Sequence, residues 1–260
     1  MHRGIILTLI VAGAGMASDR SDGATVFSGV DVQPLATMNA ANAEAAFKAE
    51  LSATSTENFE SFPGGTPAAS VRPDFPAAGV TNARINADGG GIIDARTMAG
   101  MTAALFGQFP TSGYKYLETV IDPSASSNFS IELFQLVDGF GFFGVDIGDV
   151  TGSLNVTISN TMSSFSLTTT VPTAPPNVAD SSVLFFGIVA DSPAEMFDRI
   201  DFVGTSTDTD VFAFDDMTVG VIQSSPPTGG GLVPEPTSAM TWTLLLIGAI
   251  SLRPRRARRV

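Results

Sequence analysis

Seven apolar runs, bounded by Gly, Pro, Asn or Asp, fill most of residues 114–220: YKYLETV, FSIELFQLVDGFGFFGVDIGDV, SLNVTIS, SFSLTTT, VLFFGIVA, FDRIDFVG and VFAFDDMTVG. In SLNVTIS, Leu154, Val156 and Ile158 alternate with Asn155 and Thr157, and SFSLTTT alternates through Phe165 and Leu167. A side-chain period of two is that of a strand with one buried face. Turn residues recurring at these intervals are those of antiparallel sandwiches. The expectation is an all-β body of two packed antiparallel sheets, a β-sandwich of jelly-roll type. Most of the 19 Phe then belong to its core. From Thr56 onward ENFESF reads as strand leading into a Pro-Gly-Gly turn at residues 63–65, and no internal repeat stands out.

One helix is expected ahead of the strands, over about 39–53, with Asn39 as N-cap and Ala43, Phe47 and Leu51 on one face at i, i+4 and i+8. It would cover one end of the sandwich.

Charge and residue usage exclude several chemistries. Residues 18–233 carry 7 basic and 25 acidic side chains, a net charge of −18, and such a field repels nucleic-acid phosphates. The chain has no Cys, and its one His is His2, near the start. With residues 1–17 removed as a leader, the body has no imidazole base, no thiolate and no His or Cys metal ligand. That excludes Ser-His-Asp and Cys-His hydrolysis and ordinary zinc or copper sites.

Both ends read as addresses. At the start, Arg3, the apolar stretch Ile5–Val11 and the small residues Gly15 and Ala17 come in the order of a secretory signal peptide cleaved after Ala17. At the other end, a Pro/Gly linker (Ser224–Val233) precedes Pro234-Glu235-Pro236, the apolar run Thr237–Leu252, and Arg253, Arg255, Arg256, Arg258 and Arg259. As a helix at roughly 1.5 Å per residue, the apolar run would reach about 24 Å, slightly short of a hydrocarbon core of about 30 Å. Trp242 and the flanking charges extend its reach, and the arginines are a stop-transfer signal that stays on the cytoplasmic side. The body, residues 18–223, would then lie outside. A permanent anchor, a lipid-anchor signal and a cleaved sorting signal are the three readings of such a tail, and lipid-anchor tails end apolar rather than basic.

Residues 233–260, with PEP, short span and arginine cluster in order, resemble the PEP-CTERM sorting signal of Gram-negative bacteria. The resemblance implies recognition by an exosortase, a membrane cysteine protease or transpeptidase that removes the span near the motif. It further implies transient residence in the inner membrane by way of the secretion machinery, then delivery to the cell surface or extracellular polysaccharide matrix. The prolines suit this role, because they disfavour helix and keep Glu235 extended. Within the body, AAFKAELSATSTENFESF with its Phe59-Glu60 pair, FGFFGVDIGD, SVLFFGIVADSPAEMFDRIDFVG and FAFDDMTVG are similar to the helix and core strands of PEP-CTERM surface proteins. The first and last of these stretches also resemble carbohydrate-binding jelly rolls.

In those binding modules a Glu on the first strand and an Asp on the last often hold a structural Ca²⁺. That resemblance makes Glu60 with Asp215 or Asp216 the calcium ligands, oxygen donors of the kind calcium takes. The acidic pair Asp208 and Asp210 lacks the Gly and distal Glu of a helix-loop-helix calcium loop and reads as a solvated loop. ADGGGIID (Ala87–Asp94) has no following Lys-Ser/Thr and reads as a flexible turn rather than a phosphate loop. Glycoside cleavage needs only two carboxylates about 5–9.5 Å apart. One Trp, two Tyr and no body His make a poor sugar-cleaving site, and a Ser-Lys dyad could use only Lys48 or Lys115. Expected first is therefore a non-enzymatic exported surface or matrix protein. A carbohydrate-binding module tethering exopolysaccharide comes second, and a glycan-cleaving enzyme third. Glycan binding separates the first two, and reducing-end release identifies the last.

Overall fold

The computed structural model describes residues 17–21, 23–32, 38–95, 107–121, 129–148, 152–174, 182–205 and 208–222. Residues 1–16, the linker and the sorting tail lie outside them, and so do the expectations placed there. Among the described residues no helix is long and apolar enough to cross a membrane.

The strands are β1 (Ala17–Ser21), β2 (Ala24–Asp31), β3 (Ala53–Glu57), β4 (Arg84–Ala87), β5 (Gly91–Ala95), β6 (Lys115–Ile121), β7 (Phe129–Val137), β8 (Gly139–Val145), β9 (Leu154–Ser159), β10 (Ser166–Thr170), β11 (Val183–Ala190), β12 (Phe197–Gly204) and β13 (Asp210–Val221). They form two antiparallel sheets. An eight-stranded sheet runs β1-β2-β11-β8-β13-β6-β5, with β3 also on β13, and a five-stranded sheet runs β10-β9-β12-β7-β4. This is the expected sandwich, with one α-helix among the described residues, α1 (Met38–Ala49).

Phenylalanine fills the space between the sheets. Phe129 and Phe202 of the smaller sheet stack with ring centroids 4.0 Å apart. Phe214 of the larger sheet meets them edge-on at 4.9 and 5.4 Å, and Phe142 lies 5.0 Å from Phe214. Offset and edge-to-face packing of this kind adds to the gain from area burial.

The larger sheet is buried on its other face as well. Phe27, Phe143, Phe185 and Val189 form a second apolar cluster with Ala43, Phe47 and Leu51 from α1 and its C-terminal side. A strand covered on both faces needs apolar residues at every position, so GFGFFGV and VLFFGIVA are continuously buried, whereas LNVTIS alternates. The helix approaches closely because glycines lie beneath it. Gly187 of β11 faces Gly141 of β8, and Gly220 of β13 faces Gly139 of β8. A Cβ on Gly187 would lie 2.7 Å from the Phe47 ring, and one on Gly220 would lie 2.5 Å from Leu51.

Four local expectations are corrected. Asn39 is not the cap: α1 begins at Met38, and Asp31 at the end of β2 accepts the amides of Asn39 (3.2 Å) and Ala40 (2.9 Å). The Asn39 side chain instead donates to the Val30 carbonyl. The helix stops at Ala49 rather than 53, because Leu51 donates back to the Lys48 carbonyl and Ser52 already donates to Val221 in the sheet. In ENFESF only Glu57 is strand, the last residue of β3, and residues 58–62 turn. Glu57 and Asn58 side chains accept the amides of Phe59 and Glu60, which competes with ladder bonding, and Phe59 is buried at φ 60°. In ADGGGIID only residues 88–90 turn, and Gly91 onward is β5.

Candidate functional site

β13 carries an extra residue where its partners change. Along one edge β6 pairs with Asp210–Phe214 and β3 with Met217–Val221. Along the other, the register to β8 shifts between Asp215 and Thr218. Such a bulge preserves which face each side chain occupies. Phe212 and Phe214 before it and Met217 and Val219 after it all reach the inter-sheet core, although the spacing from 214 to 217 is odd. Asp216 takes the bend at φ 46°, a conformation Asp tolerates better than most residues.

The bulge grips the segment leading into β6. The Oδ2 of Asp215 accepts the amides of Thr111 (2.8 Å) and Ser112 (3.0 Å), and its Oδ1 accepts the amide of Asp216 (2.8 Å). Asp216 accepts the hydroxyls of Thr111 (2.9 Å) and Ser112 (2.8 Å). Three residues on, the Oε1 of Glu60 accepts the amides of Tyr114 (2.6 Å) and Lys115 (2.7 Å), with Gly113 between at φ 62°. Asp215 is fully buried. Burial, reinforced by the adjacent Asp216 charge, pushes its carboxyl up to about 7 against the downward pull of the amides.

Glu60, Asp215 and Asp216 thus act on one segment, from its two ends. Most oxygens of this donor set already accept hydrogen bonds. The Asp215 oxygens and one Glu60 oxygen are taken up by backbone amides, and the Lys115 ammonium donates to the carbonyls of Glu60 and Phe62, each at 2.7 Å. Among the described residues, no three His, Cys, Asp or Glu side chains are placed to hold a metal. Lys48 is paired with Glu44 at 2.6 Å, so each lysine named for a dyad has an ordinary structural partner. Asp208 is exposed, and Asp210 is buried at the start of β13, where it accepts the Val211 amide.

A second constellation, unforeseen from the sequence, covers the outer face of the five-stranded sheet. Arg199 donates to Asp201 through Nε (2.9 Å) and Nη2 (2.7 Å), to Glu132 through Nη1 (3.0 Å) and to Ser130 (3.2 Å). Asn86 donates to Glu132 at 3.2 Å, and Arg84 reaches the other Glu132 oxygen at 3.5 Å. Beside them β7 is distorted. Phe197 pairs with Val137 and Arg199 with Glu132, so Leu133 to Leu136 stand opposite the single residue Asp198. Leu133 stays in the core, while Phe134, Gln135 and Leu136 are exposed. Phe134 sits at φ 59° and is 58% exposed, and the Arg84 guanidinium lies 5.4 Å from the ring centroid. The available signal was the adjacent pair Leu133-Phe134, which breaks the alternation of FSIEL.

No protein-family model and no curated protein matches the chain. Among solved structures, it is similar to the cleaved K2 adhesin domain of Lys-gingipain, at 15% identity and TM-score 0.37, over 65% of this chain and 98% of that one. It is also similar to a carbohydrate-binding module in complex with beta-1,4-galactotriose, at 12% identity and TM-score 0.26, over 63% of this chain and 97% of that one. Both likenesses are distant.

Proposed function

We propose that this chain is a non-enzymatic exported protein of a Gram-negative bacterium, with a jelly-roll body carried to the cell surface or extracellular matrix. The observation that carries the reading is the ordered tail: Pro/Gly linker, Pro234-Glu235-Pro236, short apolar run, arginine cluster. An exosortase-type enzyme would act on the motif while the arginines hold the span on the cytoplasmic side. The non-catalytic reading is supported by how the carboxylates are used. Asp215, whose carboxyl burial pushes up to about 7, is fully buried behind residues 111 and 112 and out of a substrate's reach. The purified protein, incubated with polysaccharide from the producing bacterium, is expected to release no reducing ends above the blank. Measurable release would overturn the reading and favour a glycan-cleaving enzyme.

A second reading, a carbohydrate-binding module that tethers exopolysaccharide, is favoured by the hydrogen-bonding outer face of the five-stranded sheet with its exposed Phe134.

A further inference from the structure

The outer face of the five-stranded sheet is polar in register, not only in composition. One row across four strands runs Arg84, Glu132, Arg199, Ser159, and reaches Ser166 on the fifth. The row beside it runs Asn86, Ser130, Asp201, Thr157 and Thr168. With strands about 4.8 Å apart, each row spans about 19 Å. Its charges cancel, Arg84 and Arg199 against Glu132 and Asp201, in a body whose net charge is −18. At the β7 border of this face the chain loops out three residues and presents an aromatic ring to water. The core does not require that distortion, since Leu133 and Val137 on either side remain buried. A bulky residue at positive φ is a true backbone outlier, and strain of this kind concentrates at ligand-binding positions.

We propose that this face binds a neutral polysaccharide, with Phe134 as the ring against which a sugar packs and Arg84, Glu132, Arg199 and Asp201 as hydroxyl partners. The proposal rests on the carbohydrate-binding reading and locates its site. The ligand class follows from three features. Paired guanidinium and carboxylate groups have remaining donors and acceptors for hydroxyls, but no net charge to attract an ion. The apolar ring face suits the C–H face of a pyranose. The field of the acidic body repels anionic polymers.

The test is native gel electrophoresis of the exported protein through gels containing dextran, β-1,4-galactan or alginate, comparing wild type, Phe134→Ala and Phe134→Tyr. Wild type is expected to be retarded by at least one of the two neutral polymers and not by alginate. Phe134→Ala should weaken that retardation by about tenfold or more, an affinity change readable as a shift in retardation. Its melting temperature should not fall, because the ring is exposed, and Phe134→Tyr, which keeps the ring, should bind as wild type does. Full retardation of Phe134→Ala would overturn the site while leaving the carbohydrate-binding reading standing. Retardation by alginate alone would overturn the ligand class. Absence of retardation in all three gels would overturn both the site and the reading.

Discussion

Phe47→Ala will lower the unfolding free energy by about 3–5 kcal/mol, the usual cost of emptying a fully buried phenylalanine site. Phe47 has no exposed surface and lies against Phe185 at 5.6 Å and Phe27 at 6.2 Å. It is also the side chain for which the sheet leaves room. A Cβ on Gly187 would sit 2.7 Å from the Phe47 ring, and one on Gly141 would sit 2.8 Å from the tip of Phe185 and 3.2 Å from Phe47. Alanine at either position gains up to about 1 kcal/mol over glycine within a strand. Steric overlap with a ring that cannot move outweighs it, so Gly187→Ala is expected to be destabilising by about 1–3 kcal/mol. The pair should be coupled: once Phe47 is alanine, the space above Gly187 is open, and the double variant should cost less than the sum of the two. Urea denaturation of the four proteins measures this, and strict additivity would contradict the seating of the helix on the glycines.

Asp215→Ala will be nearly as damaging, at about 3 kcal/mol or more, because three backbone amides lose their acceptor at a buried junction of three strands. The same residue gives the fold a pH dependence whose sign is unusual for an aspartate. Its carboxyl is raised from 3.8 to about 7 in the folded chain, chiefly by burial and next by Asp216. Between those values the native state holds a proton that the unfolded chain releases. Its contribution is therefore fully present below about pH 4 and is lost as pH rises through about 7. Glu57 and Asp138, also raised by burial, act in the same direction. The protein should accordingly melt higher at pH 5 than at pH 8, and Asp215→Asn should flatten most of that slope. A melting temperature that falls from pH 8 to pH 5 would show that the amide bonds to Asp215 outweigh its burial.

These two sites differ in how far the sequence disclosed them. The helix face Ala43, Phe47 and Leu51 was legible because its spacing is local, and the strands of the second half were legible from alternation and turn residues. The glycine seat was not, because Gly29, Gly139, Gly141, Gly187 and Gly220 belong to four strands joined only by folding. β2 and β5 were missed for a related reason: nearly continuous burial in β2 and the glycine that opens β5 leave neither with a clean period of two. Grouping Glu60 with Asp215 and Asp216 came from the resemblance to carbohydrate-binding jelly rolls. Their role in holding residues 111–115 did not, since no local pattern marks those residues as the common partner. The β7 distortion left a trace in the sequence, the adjacent apolar pairs Leu133-Phe134 and Leu136-Val137 after the alternation of FSIEL, and its consequence depends on Arg84 and Arg199 from neighbouring strands. Distant hydrogen bonding also displaced the helix cap from Asn39 to Asp31.

On the proposed reading, labour is divided between a folded acidic body and a basic tail that serves as its address. The body's own chemistry, a neutral hydrogen-bonding face on an acidic protein, matters to the cell only if the body is delivered outside and freed from the span. Intact-mass measurement of the protein recovered from the cell surface tests this most directly. A species that begins after Ala17 and ends near Pro234-Glu235-Pro236, without Trp242 and the five arginines, is the expected result, whereas a surface species that retains Trp242 would contradict cleavage and leave a permanently anchored protein.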